Sequence, residues 1–122
     1  MSDSYTLYQE GRIAMESGDF IAAIEKLRAS AEESPHFKTL ECLGECFLEQ
    51  EKYGQAIIYL AASTELGNKP FRGYFLLAKS FLAFGEKDEA IARLKKALEI
   101  NPDYKSAKIL LTDILEESEK QN

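Results

Sequence analysis

Thiol and imidazole chemistry in this chain has three candidates, His36, Cys42 and Cys46. The two cysteines stand four apart on one face of an expected helix, and with His36 they sketch a metal site. A structural zinc site takes four ligands, and no fourth accompanies these three, so neither a metal nor any other cofactor is expected. The thiols read instead as small buried apolar groups in a reducing compartment. His36 follows Pro35 in an expected turn and reads as a solvated surface residue. The chain has no Ser-His-Asp or Cys-His order, no Walker loop and no dinucleotide glycine motif. The acidic pairs Glu32-Glu33 and Glu116-Glu117 lie at expected helix ends with no base near them in sequence. These residues point away from an enzyme.

The elements that carry them repeat. Gly11, Gly18-Asp19-Phe20, Ala23-Ile24 and Leu27 return as Gly44, Glu51-Lys52-Tyr53, Ala56-Ile57 and Leu60, and again as Ala78, Gly85-Glu86-Lys87, Ala90-Ile91 and Leu94. A fixed period of this size marks a helical repeat array. Apolar spacing is helical throughout, with breaks at Ser17-Gly18 and Ser34-Pro35, and no strand pattern competes, so the class is all-α. Helices are expected over about 37–50, 53–66, 71–84, 87–100 and 105–119, after two in the first copy. Leu7, Ile13 and Ala14 belong to the apolar face of the first. Gly67 and Asn68 suit a left-handed helix end, Pro70 a first turn, and Asn101-Pro102 a stop and restart.

In the seventh helix Ala107, Leu110, Leu111, Ile114 and Leu115 form one side, with Lys105, Lys108, Thr112 and Glu116 more polar. No further helix follows before Asn122, and such a helix reads as a cap over the last repeat. The alternative is a second interface that would support self-association into a homo-oligomer.

The net charge of -6 argues against general nucleic-acid affinity, which rests on clustered Lys and Arg. Residues 4–37 hold six acids and three bases, whereas 71–104 hold five acids and six bases. The trio Arg93, Lys95 and Lys96 reads as a solvated outer face near a helix C-terminus. The longest apolar run, Ala56 to Ala62, is far shorter than the roughly 20 residues of a membrane span. The start, Met1-Ser2-Asp3-Ser4-Tyr5, lacks a basic segment followed by an apolar one. The expectation is a cytoplasmic protein with no membrane and no nucleic-acid partner.

The three copies closely resemble the tetratricopeptide repeat, a helix-turn-helix unit. Its places fall on Leu7, Glu10-Gly11, Ala14, Gly18, Phe20, Ala23, Leu27, Ser30 and Pro35 in the first copy. In the second they fall on Leu40, Leu43-Gly44, Phe47, Glu51, Tyr53, Ala56, Leu60, Ser63 and Asn68, and in the third on Tyr74, Leu77-Ala78, Phe81, Gly85, Lys87, Ala90, Leu94, Ala97 and Pro102. The departures are Glu51 at a turn glycine, which suggests a differently built second turn, and Lys87 at an aromatic place. The expected repeats are residues 4–37, 37–70 and 71–104, with a capping helix at 105–120, together one domain.

The resemblance implies a right-handed superhelix of seven antiparallel-packed helices whose concave groove holds a peptide or helix of a partner protein. Carried over residue by residue, the groove presents Tyr5, Tyr8, Arg12, Met15 and Glu16 from the first copy. Lys38, Glu41, Glu45, Leu48 and Glu49 follow from the second, then Arg72, Phe75, Lys79 and Leu82 from the third. Each aromatic has inter-repeat packing as its other reading. A variant of the family grips a chaperone's C-terminal carboxylate with Lys, Arg and Asn. The matching places here are Tyr8, Arg12, Cys42, Arg72 and Leu76, only two of them cationic, so that clamp is not expected. Arg12 and Arg72 are then available for a partner's carboxylates. Glu41, Glu45 and Glu49 form an acidic ridge that calls for a basic residue beside an apolar or aromatic anchor.

Overall fold

The computed structural model describes residues 3–121; Met1 and Ser2, part of the N-terminal segment read above, lie outside them, as does Asn122. The described residues form seven helices and no strands: α1 (Ser4–Glu16), α2 (Phe20–Glu33), α3 (Phe37–Glu49), α4 (Tyr53–Leu66), α5 (Phe71–Phe84), α6 (Lys87–Ile100) and α7 (Lys105–Lys120). Helix limits from α3 onward agree with the sequence expectation to within a residue. Three helices start under side-chain caps, where an acceptor takes up a free backbone N–H. Asp3 accepts from the Thr6 amide at 2.8 Å, Asp19 from Ala22 at 3.1 Å, and His36 Nδ1 from Lys38 at 3.2 Å.

Consecutive helices pack antiparallel as the pairs α1–α2, α3–α4 and α5–α6, and the pairs stack into an all-α solenoid. Within a pair the backbones approach until no side chain fits between them. A Cβ on Gly11 would stand 2.6 Å from Leu27 Cγ, and one on Gly44 would stand 2.6 Å from Leu60 Cδ2. Beside Leu27, the Ala23 carbonyl oxygen would lie 3.4 Å from the Cβ at 11. Ala23, Ala56 and Ala90 are themselves fully buried, as are Leu27, Leu60 and Leu94. Such contacts leave no spare volume, and interiors of this density resist added methylenes.

The turn inside each pair is built three times alike. Gly18, Glu51 and Gly85 take the left-handed conformation, with φ of 84°, 60° and 95°. In the second turn the Glu51 amide donates to Leu48 O at 3.0 Å and the Lys52 amide to Phe47 O at 2.9 Å. Matching bonds join Gly18 to Met15 and Asp19 to Ala14, then Gly85 to Leu82 and Glu86 to Phe81. The second turn is therefore not built differently, and Glu51 bears the cost of about 1 kcal/mol that an L-residue incurs there. Gly67 corrects the sequence in another way. It is extended (φ -79°, ψ 149°) and Lys69 holds the left-handed position at φ 58°. Room is tight at 67, where a Cβ would lie 3.1 Å from both Pro70 Cβ and Ser63 O.

Two apolar expectations fail at the ends of the stack. Ile13 is 67% exposed although its repeat equivalents, Cys46 and Ser80, are fully buried, because among the described residues no helix pair stacks on that side of α1. On α7, Ala107 and Ile114 are buried and Leu110 and Leu111 partly so, yet Leu115 is 45% exposed and Ile109 61%. The basic trio on α6 also divides. Arg93 is part-buried over the Phe81 ring, 5.2 Å from its centroid, and bonded to Glu89 at 3.0 Å, while Lys95 and Lys96 face water. No described helix is long and apolar enough to cross a membrane.

The packing register yields a direct test. Ala56→Leu adds three carbons where none fit, and it should lower unfolding free energy by about 1 to 3 kcal/mol in chemical denaturation. Ala92→Leu, on the exposed side of α6, should leave stability nearly unchanged.

Candidate functional site

The first helices of the pairs, α1, α3 and α5, run side by side but meet each other only sparsely, since each packs mainly on second helices. Their remaining face is the strip on which the groove residues were expected. Its buried foundation is uniform. Leu27, Leu60 and Leu94 recur beneath it, and Ser30, Ser63 and Ala97 follow at the same spacing, with none more than 1% exposed.

At the α1 end, Tyr5 is exposed and its hydroxyl accepts from Gln9 Nε2 at 3.1 Å. Tyr8 is half-buried, and the Arg12 guanidinium carbon lies 6.0 Å from the centre of its ring. Arg12 also reaches Glu16 at 3.3 Å, with both side chains largely in water, so the bond adds little. Lys38 is exposed at the start of α3, and Glu49 is exposed at its end.

The centre is held by a fork. Arg72 of α5 donates from Nη1 to Glu41 Oε1 at 2.6 Å and from Nη2 to Glu45 Oε2 at 2.7 Å, joining the second pair to the third. The two carboxylates are 15% and 21% exposed, and charge-assisted bonds of this length are the stronger kind. Burial disfavours the Arg72 charge, but hydrogen bonding to Glu41 and the charge of Glu45 outweigh it and raise its pKa. The sequence reading left Arg72 for a partner's carboxylate and Glu41 and Glu45 for a partner's base. Instead they satisfy one another, with one negative charge in excess.

At the α5 end Phe75 takes part in packing between elements. It is half-buried, edge-on to Tyr104 at 5.4 Å between ring centres, and Lys79 Nζ lies 5.6 Å from the centre of its ring. Tyr104 also packs edge-on against Phe71 at 5.0 Å and ties α7 to the strip. Tyr104 and Ile109 were absent from the sequence reading. The signal for Ile109 was available, because adding one more period to Tyr8, Glu41 and Phe75 lands on it.

The thiols are covered, Cys42 at 8% exposure and Cys46 at 0%. Burial pushes the Cys42 thiol up to about 11, with the charges of Glu41 and Glu45 adding to the effect. Burial likewise pushes Cys46 up to about 12, with Cys42, Glu45 and Glu49 adding. A thiol this reluctant to ionise is a poor nucleophile and a poor metal ligand at neutral pH. His36 is exposed, and its Nδ1 serves as the cap of α3.

Two family models of the tetratricopeptide repeat match this chain, over residues 8–71 and 71–104. The chain belongs to the tetratricopeptide repeat family. A TPR repeat-containing protein of Methanocaldococcus jannaschii is 28% identical over 110 residues, covering 89% of this chain and 19% of that protein. Heat shock protein STI1 of Saccharomyces cerevisiae is 28% identical over 102 residues, covering 82% and 17%. The chain thus spans under a fifth of the length of the curated relatives it matches. Among solved structures, the first TPR of Spaghetti (RPAP3), bound to the HSP90 peptide SRMEEVD, superposes with a TM-score of 0.90. That match has 16% identity and covers 93% of this chain and 91% of that one; at this identity the likeness is one of fold.

The buried thiols give a pH test with a definite sign. The unfolded chain ionises its cysteines near 9.0, whereas the folded chain holds the protons to about 11 and about 12. The folded state then binds more protons, so this contribution to stability is complete below pH 9 and is lost as pH rises through that window. Denaturation midpoints measured from pH 8 upward should fall, and Cys46→Ala should make the fall shallower. An identical slope in the variant would contradict the assignment.

Proposed function

We propose that this chain is a non-catalytic protein-interaction module that holds a segment of a partner protein along the face of α1, α3 and α5. The observation that carries this reading is the contrast between the two sides of the repeat. The buried positions of the second helices keep the same residue types from copy to copy, Ala23, Ala56 and Ala90 with Leu27, Leu60 and Leu94, while the outward positions of the first helices run from Tyr8 and Arg12 through Glu41 and Glu45 to Phe75 and Lys79. A face that served packing alone would have no reason to vary so much in charge and aromatic content. Tyr8 and Phe75, half-buried at opposite ends of the strip, suit the anchoring role that aromatics play at interfaces.

The peptide in the RPAP3 structure supports a peptide-like occupant here too. The five places of the carboxylate clamp argue against a ligand of that terminal kind. Cys42 and Leu76 are buried, Arg72 is committed to Glu41 and Glu45, and Tyr8 brings no charge. The excess negative charge of the fork and the exposed Glu49 favour a basic residue on the partner near the middle of the strip. A non-catalytic role is supported by the raised thiol pKa values and by the use of the one histidine as a helix cap. Two buried free thiols also accord with a cytoplasmic setting.

Peptides selected from a random-sequence library against the full chain test this directly. Tyr8→Ala combined with Phe75→Ala, and separately Lys79→Glu, should weaken the selected peptides, the aromatic pair by at least about tenfold. Ile58→Ala, on the outward side of α4 at 67% exposure, should not change their affinity. Equal affinity across all variants would remove the groove assignment.

A further inference from the structure

A cleft of about 770 Å³ opens between α1 and the start of α3, at one end of the strip. Tyr5, Tyr8 and Phe37 supply its apolar surface, and its charged lining consists of Arg12 and Lys38, with no carboxylate. In a chain of net charge -6 that is a local reversal of sign. The acids nearby are drawn elsewhere. Glu41, one turn along α3 from Lys38, is held by Arg72 at 2.6 Å. Glu16 meets Arg12 only at 3.3 Å with both groups about half or more in water, a bond weak enough for an incoming carboxylate to replace. His36 adds a further donor. Its Nδ1 accepts the Lys38 amide at 3.2 Å, so the neutral ring carries its proton on Nε2.

We propose that this cleft is a specificity site for an acidic side chain of the partner segment, taken up by Arg12 and Lys38 while a neighbouring apolar residue rests on Tyr5, Tyr8 and Phe37. The proposal rests on the groove reading and extends it by giving the bound segment a direction. Its acid lies at the α1 end, and its base lies near the middle, beside the excess charge of Glu41 and Glu45. The cleft selects a side-chain carboxylate within the segment rather than a chain terminus. The positions that grip a terminal carboxylate in the clamp variant include Cys42 and Leu76, which are buried here and carry no charge.

The test uses the library-selected peptides, synthesised with amidated C-termini, and binding to the full chain measured by fluorescence anisotropy. The selected sequences should share an Asp or Glu next to an aromatic or aliphatic residue. Replacing that acid by its amide should weaken binding to the wild type about tenfold, as for loss of one charge-assisted hydrogen bond. In Lys38→Glu and in Arg12→Gln the same replacement should have little effect. Both side chains are exposed, and unchanged melting temperatures would certify the fold. Peptides that need Phe75 and Lys79 but bind equally well with acid or amide would overturn the cleft and leave the groove standing. Binding that vanishes on C-terminal amidation would overturn it as well, by showing that a chain terminus is the anion gripped. Binding indifferent to Phe75 and Lys79 would remove the groove, and the cleft proposal with it.

Discussion

The close approach of two helices within each pair is the constraint on which the rest of the structure depends. Gly11 against Leu27 and Gly44 against Leu60 leave no space for a Cβ, and the third pair meets through Ala78 with Leu94 equally buried. Because the helices touch there, the turn between them must be short, and it takes the same left-handed form at Gly18, Glu51 and Gly85. The second pair tolerates a glutamate in that conformation, which indicates that packing governs the turn. Fixed pairs stack in a fixed register, and that register turns the same side of α1, α3 and α5 outward. The candidate strip is what remains of each first helix after its packing is complete.

Much of this was legible in the sequence because the constraint repeats. Gly11, Gly44, Ala78 and the leucines appear at constant spacing, so the helix pairs and their limits could be read from one another. What escaped depended on three-dimensional contacts that no period encodes. Gly67 carries the residue type of a left-handed end, but it serves as a small residue against Pro70 and Ser63, and Lys69 turns the chain instead. Ile13 has the spacing of a core residue, but it occupies a flank that only a preceding pair would bury.

The strip shows the same division. Its residues were found by aligning copies, yet their pairing was not. Arg72 lies 31 residues from Glu41 and 27 from Glu45, and three charges read as separate offers to a partner form one internal fork. The fork changes the electrostatics of the site. It neutralises part of the acidic ridge, removes the one cation at the centre, and leaves Arg12 and Lys38 as a separate basic end beside Tyr5, Tyr8 and Phe37. Phe75, left between two roles by its sequence position, packs edge-on against Tyr104 with Lys79 over its ring.

The central claim is that partners bind on the first-helix face and leave the second helices outside. Amide chemical-shift mapping of the isotopically labelled chain, titrated with a library-selected peptide, tests it most directly. The account predicts that the large shifts fall in α1, α3 and α5, with Tyr8, Lys38 and Lys79 among them. Large shifts concentrated in α2, α4 and α6 would contradict it.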